Sequence, residues 1–577
     1  MAAACASGKV CVMPNSGRAS SWGSRGRAAT HARRSSSDPG ASRNSCSRSP
    51  RSSLWLELAG LALLLSACGG GGGGGPAPPA AWSVDTLAPW RSLAAKCQLP
   101  RSGVDPYTGS AYPDRAGTLL DEQDWLASWT DDTYLWYSEV SYADPHGYST
   151  ALDYFNALKT PQITPSGRAK DRFHFTYPTS TWESLSQSGS QAGYGSTWVL
   201  LQATPPRNVV VAYTEPGSPA ANLAPPLARG AQVLFVDGVD LVNDGTASGV
   251  ASLNAGLFPA NAGESHTFVL QDPGAAAPRT VVLVSAIVTS TPVQNVSTIP
   301  GGAAGGSVGY MLFNDHLATA EPALVNAVRQ LGAAGVTDLV VDIRYNGGGY
   351  LDIASEFAYM IAGPGPTSGR AFETLRFNAR HPGVDPVTGA SIVPTPFLST
   401  TQGFTPSPAA GQALPYLGLS RVYVLTGSGT CSASESVINS LRGVGVQVIQ
   451  VGSSTCGKPY GFYPADNCGT TYFSIQFQGE NQLGFANYPD GFVPQNGATS
   501  GIDPGAVLPG CSVADDFTHA LGDPAESRLS VALLLRSGAS CPAATGAAAL
   551  GAVNLAAAPE GSVLKSPFLT NRILRPR

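Results

Sequence analysis

Between Gly306 and Gly452 the chain repeats a pattern that few folds can accommodate: a short apolar run, a glycine turn, then a segment of helical period. "SVGYMLFND" reads as a strand, "ATAEPALVNAVRQLGAAG" as a helix ending at Gly335, and "DLVVDIR" as a second strand. "NGGGY" is a turn and "LDIASEFAYMIAG" a helix. After an insertion over 363–420, which reads as a lid or an ordinary loop, come the strand "RVYVLT", the helix "ASESVINSLRG" and the strand "VQVIQVG". A strand such as "DLVVDIR" is nearly continuous in its apolar residues, as in a parallel sheet buried on both faces. Strand–helix alternation of this length predicts a layered α/β core with right-handed crossovers. In such cores sites gather at the carboxyl ends of strands, where "NGGG" and "GSGTCSASE" both lie.

Upstream the texture differs. "DEQDWLASWTDDTYLWYSEV" reads as one amphipathic helix, with Trp125, Trp129 and Trp136 near helical spacing, and "TALDYFNALK" as a second. From Gln191 short β runs alternate with turns. "PGSPAANLAPPLARGAQVLFVDGVDL" resembles the stretch of a PDZ domain in which a short helix precedes a turn, a strand and a hairpin, although Gln232 stands where Asp is common. The resemblance puts Gly193, Tyr194, Gly195 and Ser196 where PDZ domains carry their carboxylate-binding loop. Glycines there let backbone N–H groups converge on an anion, and the following strand accepts a peptide as an added strand. "GVDPYTGSAYPD" and "GVDPVTGASIVPT" share turn chemistry and mark two exposed loops, not a domain repeat.

A leader precedes all of this. Residues 1–53 are rich in Arg, Ser and Gly, and "LAGLALLLSAC" follows from Leu58 to Cys68. The apolar run is too short to span a bilayer but fits a secretory h-region. Its end resembles a bacterial lipobox, implying cleavage before Cys68 and acylation of its thiol. A leader this long points to a start codon set too far upstream. The glycine run after Cys68 suits a tether, and Gly69 in the position next to it points to the outer membrane. Beyond Cys68 six cysteines remain, an even number that suits disulfides in an exported chain. The pairings expected are Cys456–Cys468 and Cys511–Cys541. No Cys/His spacing suits zinc. Charged residues make up 13%, and 67 Gly with 46 Pro suit a loop-rich extracytoplasmic protein. A net charge of −5 without a basic run in the globular part argues against nucleic acid.

The chemistry concentrates in "TGSGTCSASE". Serine at a strand-to-helix junction is most often a helix cap; a nucleophile would need a base and an oxyanion hole. No histidine stands nearby. Lys458 in "VGSSTCGKPYG" is a candidate base, since it follows a strand that reads as buried and has no carboxylate beside it in sequence. A lysine serves as a general base only when neutral.

Residues 306 to about 515, with the PDZ-like stretch ahead of them, resemble the C-terminal processing peptidases, also called tail-specific proteases. "GTCSASE" is similar to that family's "GTASASE"-like motif, and "VGSSTCGK" to its "VGxxTxGK". The resemblance makes Ser432 the nucleophile, Lys458 its base, and Glu435 the residue that orients the lysine. Ser434 then helps hold the helix start. It places the oxyanion hole at the N–H of Ala433 and at Gly348 of "DIRYNGGG", which resembles the family's "DLRxNPGG" with Gly347 in place of its proline. Cys431 replaces a small residue of the motif and could pair with Cys456.

The expected architecture is α+β and multidomain. It comprises a leader (1–67), a tether (68–82), a helical region (83–188), a PDZ domain (189–292), a layered crotonase/ClpP-like peptidase core (293–515) and a C-terminal helical segment and tail (516–577). The expected function is a serine endopeptidase with a Ser/Lys dyad, acting on unfolded or C-terminally exposed proteins, with no cofactor and no metal. It would be anchored by lipid in the bacterial cell envelope, facing the periplasm. The alternatives are a catalytically silent PDZ scaffold, a histidine-based hydrolase and a surface adhesin. Against the second, His146, His174, His266, His316, His381 and His519 all lie outside recognisable motifs.

Overall fold

The computed structural model describes residues 82–542, 562–564 and 572–573. The leader, Cys68 and the glycine tether lie outside the described residues. Helix α1 (Leu119–Thr133) starts at a reciprocal cap: the Asp121 N–H donates to Thr118 Oγ1 (3.2 Å), and the Thr118 N–H donates to Asp121 Oδ2 (2.9 Å). Trp125 and Trp129, four residues apart, stack with ring centroids 5.3 Å apart. The helix stops short of the expected Val140. The Leu135 N–H instead donates to the Ile475 carbonyl (2.8 Å), and Trp136 packs edge-on against Tyr460 outside the helix. The second expected helix is α2 (Ala151–Ala157). Together these aromatics pack on Tyr460, Phe462, Tyr472 and Phe473, the stretch that follows Lys458.

A β-rich unit follows, with strands β1 (Ser190–Gly193), β2 (Ser196–Gln202), β3 (Asn208–Thr214) and β4 (Gln232–Val236), helix α3 (Ala247–Leu257), and strands β5 (Ser265–Gln271), β6 (Arg279–Val284) and β7 (Ala286–Thr289). Five strands form an antiparallel sheet in the order β6-β5-β4-β3-β2, while β1 pairs with β7. Period-two alternation splits their side chains between two cores. Trp198, Val209 and Val211 meet Phe268 and Leu270 inside the unit, whereas Val199, Val210 and Ala212 face the sheet described next.

The strands that position the site are β8 (Val293–Pro300), β9 (Ser307–Phe313), β10 (Asp338–Asp342), β11 (Gly349–Tyr350), β12 (Arg421–Thr426), β13 (Gln447–Gly452) and β14 (Gly510–Ser512). The helices are α4 (Ala320–Ala333), α5 (Leu351–Ala362), α6 (Ala433–Gly443) and α7 (Ser527–Arg536). The six-stranded sheet runs β8-β9-β10-β12-β13-β14, antiparallel at β8–β9 and parallel elsewhere. This is the expected α/β layering. Met311, Phe313, Val341 and Val424 face α4, α5 and α6. Tyr310, Leu312, Val340 and Leu425 face α7 and the β-rich unit. Both faces are covered, which is why these strands are apolar at nearly every position. The 363–420 insertion joins the helical face as core, through Phe372, Phe397 and Leu414.

The two "GVDP" loops adopt one turn, in which Asp105 and Asp385 each accept a backbone N–H from two residues on, at 2.8 Å. Disulfides join Cys97–Cys468, Cys431–Cys456 and Cys511–Cys541. The last is as expected, but the expected Cys456–Cys468 pair is not formed. The hairpin carrying Cys468 pairs with Phe175–Pro178 and so reaches Cys97 in the N-terminal region. Cys456 stays beside Cys431, its N–H donating to the Thr430 carbonyl (2.9 Å). From the tail, β15 (Ser562–Leu564) pairs with β2 and β16 (Arg572–Ile573) with β11. No helix among the described residues is long and apolar enough to cross a membrane.

Candidate active site

Two turns at the carboxyl end of the parallel strands form the site. The first leaves β12 and enters α6 through Ser432, which holds φ 61° and ψ −113°. A non-glycine residue there is strained, and an ordinary helix cap would be extended instead. The Ser432 side chain is fully buried, and its Oγ makes no hydrogen bond among the described residues. A buried unpaired hydroxyl costs about 1–3 kcal/mol. Ser432 is the N-cap of α6 through its N–H, which donates to Glu435, while its own hydroxyl is left over from that role. Ser434, two residues on, has an ordinary structural role: its hydroxyl donates to the Asn346 carbonyl (3.0 Å).

Lys458 lies on the loop after β13 and is fully buried. Its Nζ stands over the rings of Phe173 (4.7 Å) and Phe462 (4.6 Å). Glu435 joins the two loops. Its carboxylate accepts from the N–H groups of Ser432 (2.9 Å), Gly457 (2.9 Å) and Lys458 (2.8 Å), and from Thr455 Oγ1 (2.6 Å). Burial raises the Glu435 pKa, and these four donors oppose that rise. Three of the four contacts are to backbone, so the carboxylate fixes the spacing between the serine and lysine segments. The Cys431–Cys456 disulfide spans the same gap. Its sulfurs and the Glu435 carboxylate lie within 4.8 Å of one another, but bonded sulfurs are not the thiolates a metal needs.

The second turn is Asn346–Gly349. Gly348 has φ 107° and Gly349 φ 135°, and a Cβ on Gly349 would meet the His316 carbonyl oxygen at 2.4 Å, so glycine is required. The Gly348 N–H, expected to face an oxyanion, donates to Asn346 Oδ1 (3.0 Å). The Ala433 N–H heads α6, where no intrahelical acceptor exists. Asn346 ties the turns together. Its carbonyl accepts from the Cys431 N–H (3.0 Å) and Ser434 Oγ, its Nδ2 donates to the Phe313 carbonyl (2.9 Å), and Oδ1 also meets His316 Nδ1 (3.0 Å). Burial pushes the His316 pKa down to about 3, leaving a neutral ring whose Nδ1–H donates to Asn346. His316 therefore buttresses the glycine turn and is not bonded to Ser432.

Sequence reasoning missed several participants. Asn346 sits inside "DIRYNGGG" and Thr455 inside "VGSSTCGK", so both were within sight. Phe173 and Arg172 come from the N-terminal region and carry no local signal. Arg172 Nη2 donates to the Cys456 carbonyl (2.7 Å), and burial, aided by Arg168, pushes its pKa down to about 10.

The Gly193–Ser196 turn lies apart in sequence, between β1 and β2. Gly195 (φ 75°) leaves no room for a Cβ, which would meet Ser218 Cβ at 2.2 Å. The Tyr194 hydroxyl donates to the Gly256 carbonyl (2.8 Å), and Ser196 Oγ is buried without a partner among the described residues.

Residues 307–461 match the family model of peptidase family S41. The matched span takes in Gly348, Ser432, Ala433, Glu435 and Lys458. The chain is 26% identical over 275 residues to a carboxyl-terminal-processing protease of Picosynechococcus, covering 48% of this chain and 56% of that protein. It is 31% identical over 188 residues to a chloroplastic C-terminal processing peptidase of Tetradesmus obliquus, covering 31% and 38%. The matches thus span about half or less of those relatives' lengths. A crystal structure of a Bacteroides fragilis protein assigned to the S41 proteases shares the fold at 22% identity and a TM-score of 0.52, over 74% of this chain and 98% of that one. The chain carries a peptidase family S41 domain.

Proposed function

We propose that the chain is a serine endopeptidase of the C-terminal processing type, with Ser432 as nucleophile and Lys458 as its base. The observation that carries this is Ser432, strained in its backbone, with a buried hydroxyl that has no hydrogen-bond partner among the described residues, and held through its N–H by one carboxylate at fixed spacing from an enclosed lysine. Unprotonated Lys458 takes the serine proton, and Ser432 Oγ attacks a peptide carbonyl. The N–H groups of Ala433 and Gly348 receive the oxyanion. Lys458 returns the proton to the leaving amine, and water then resolves the acyl-enzyme. Glu435 positions both loops through their backbone. The Gly348 N–H must leave Asn346 Oδ1 to act, and Ser432 and Lys458 must draw together. Such tightening on substrate binding is common.

The β-rich unit is read as a PDZ domain that takes the substrate's C-terminus along β2, with the carboxylate at Gly193–Ser196. Support comes from the tight glycine turn ahead of β2, a strand whose outer neighbour is the chain's own tail segment β15. The substrates are unfolded or C-terminally exposed proteins. Export and lipid attachment at Cys68, facing the periplasm from the outer membrane, complete the proposal. One observation favours the silent-scaffold alternative: the Gly348 donor is occupied by Asn346.

The test uses the chain from Ser83. Wild type, Ser432→Ala and Lys458→Ala are incubated with an unfolded protein bearing an apolar C-terminus, and cleavage is followed by intact mass. Cleavage by wild type alone is expected. Binding of the C-terminal peptide by all three without cleavage would favour the scaffold, and cleavage by Ser432→Ala would reject this nucleophile.

A further inference from the structure

The chain's own tail lies on two edges that a substrate would need. Strand β2, which follows the Gly193–Ser196 turn, is the last strand on its side of the β-rich sheet until β15 pairs with it. The pairing is antiparallel, with Ser562 opposite Leu200, Val563 opposite Val199 and Leu564 opposite Trp198. The tail therefore runs toward Ser196 and the glycine turn, the direction a C-terminal peptide would take. Further on, β16 lies parallel to β11, with Arg572 opposite Gly349 and Ile573 opposite Tyr350. Gly349 is already bridged on its other side to His316, so the tail closes the free edge beside the oxyanion turn.

Both contacts are made by one tail, within twelve residues of sequence. Leu564 and Arg572 are eight residues apart in number, a reach of at most about 26–29 Å. Ahead of the tail, Cys541 is fixed to Cys511, and residues 543–561 have the Ala- and Gly-rich composition of a linker. "SVL", "PFL" and "RIL" follow it, each with two or more apolar residues. Exposed strand edges capture extended segments through main-chain hydrogen bonds, without needing a particular side-chain set. In this same arrangement the Gly348 N–H is turned to Asn346, and Ser432 Oγ has no partner among the described residues.

We infer that the C-terminal segment is a tethered competitor of substrate: residues 562–564 occupy the edge of β2 while residues 572–573 occupy the edge of β11, so the intact chain is self-restrained. This rests on the peptidase reading above. Tethering supplies an effective concentration in the millimolar range, so a weakly held segment still competes. A tail held with sub-millimolar affinity raises the apparent KM about 10-fold and leaves kcat unchanged.

The experiment compares the chain from Ser83 with the same chain ending at Glu560, on the unfolded substrate. Truncation is expected to lower KM about 10-fold at constant kcat, and the synthetic peptide Ser562–Arg577 added in trans should raise it again. Because truncation could disturb folding, full-length Val563→Pro with Ile573→Pro serves as a second variant; proline removes one backbone donor from each strand and fits poorly within a paired strand, and this variant should behave like the truncation. A fluorescent Ser562–Arg577 peptide should bind truncated Ser432→Ala and be excluded by full-length Ser432→Ala. Unchanged KM without peptide binding would overturn the inference while leaving the peptidase standing. Peptide binding without cleavage by any form would keep the docking and reject the peptidase. Loss of the tail from wild type but not from Ser432→Ala would overturn the competitor role, because the segment would then be a substrate.

Discussion

Glu435 shows how much of the site's geometry rests on one side chain. A carboxylate offers about four lone-pair sites, and here four donors converge on it, three of them backbone N–H groups. Its spacing from Ser432, three residues along α6, was visible in the sequence and suggested a contact with the lysine. Spacing alone cannot show that the contact reaches the lysine's backbone. The distinction has a measurable consequence. If Glu435 only oriented an ammonium group, Glu435→Gln would impair turnover and leave stability alone. As a backbone clamp it cannot be replaced so cheaply, because glutamine brings one oxygen and an NH2 group that faces other donors. Each buried donor left unpaired costs about 1–3 kcal/mol. Glu435→Gln is therefore expected to lower the thermal midpoint as well as the rate of substrate cleavage. A midpoint equal to wild type by scanning calorimetry would show that the backbone contacts carry little stability.

At the scale of elements, the regular parts were legible and the connections were not. The parallel strands from Ser307 to Gly452 and helices α4, α5 and α6 match their sequence signals, because burial on both faces writes an apolar residue at almost every strand position. Helix α1 ended early because a distant carbonyl, that of Ile475, took the Leu135 N–H, and no local pattern encodes that partner. Disulfide pairing failed for the same reason at Cys468, whose partner is 371 residues away. Pairing between Cys431 and Cys456 was open as a possibility, and the structure makes it the second link between the serine and lysine loops. It closes a segment of 25 residues, a loop size for which chain entropy gives about 3.5 kcal/mol. Cys431→Ala combined with Cys456→Ala is expected to lower stability by about that amount. Turnover should fall mainly through kcat, since Lys458 lies two residues from Cys456. Urea unfolding and steady-state kinetics of the double variant check both. An unchanged kcat would mean that Glu435 alone sets the spacing of the loops.

Over the whole molecule, one buried ionic cluster ties the β-rich unit, the central sheet and the C-terminal helix together. Arg344, fully buried just past β10, donates to Asp342 (2.9 Å), Asp515 (2.6 Å) and Glu526 (2.7 Å), the last being the residue that caps α7. Arg229 of the β-rich unit donates to the same Asp515 (2.7 Å) and to the Tyr345 hydroxyl (2.7 Å). Burial alone would raise the Asp515 and Glu526 pKa values, but Arg344 leads the cationic groups that hold both below the ordinary carboxylate range. A carboxyl group depressed in the folded state adds stability above its unfolded pKa, about 4, and loses it as pH falls through the folded value. The cluster's contribution to stability should therefore be steady from pH 7 to about 5 and fall below about 4. Asp515→Asn leaves two buried guanidinium groups short of a counter-charge, an imbalance that typically costs about 3–5 kcal/mol. It should therefore unfold at a lower temperature at pH 7 and also lose part of the difference between pH 7 and pH 3.5, because one linked proton site is gone. Thermal unfolding of both proteins at pH 7, 5 and 3.5 decides this. Parallel curves for wild type and Asp515→Asn would mean that the acid sensitivity resides in other carboxylates and that the cluster holds the three parts together by packing.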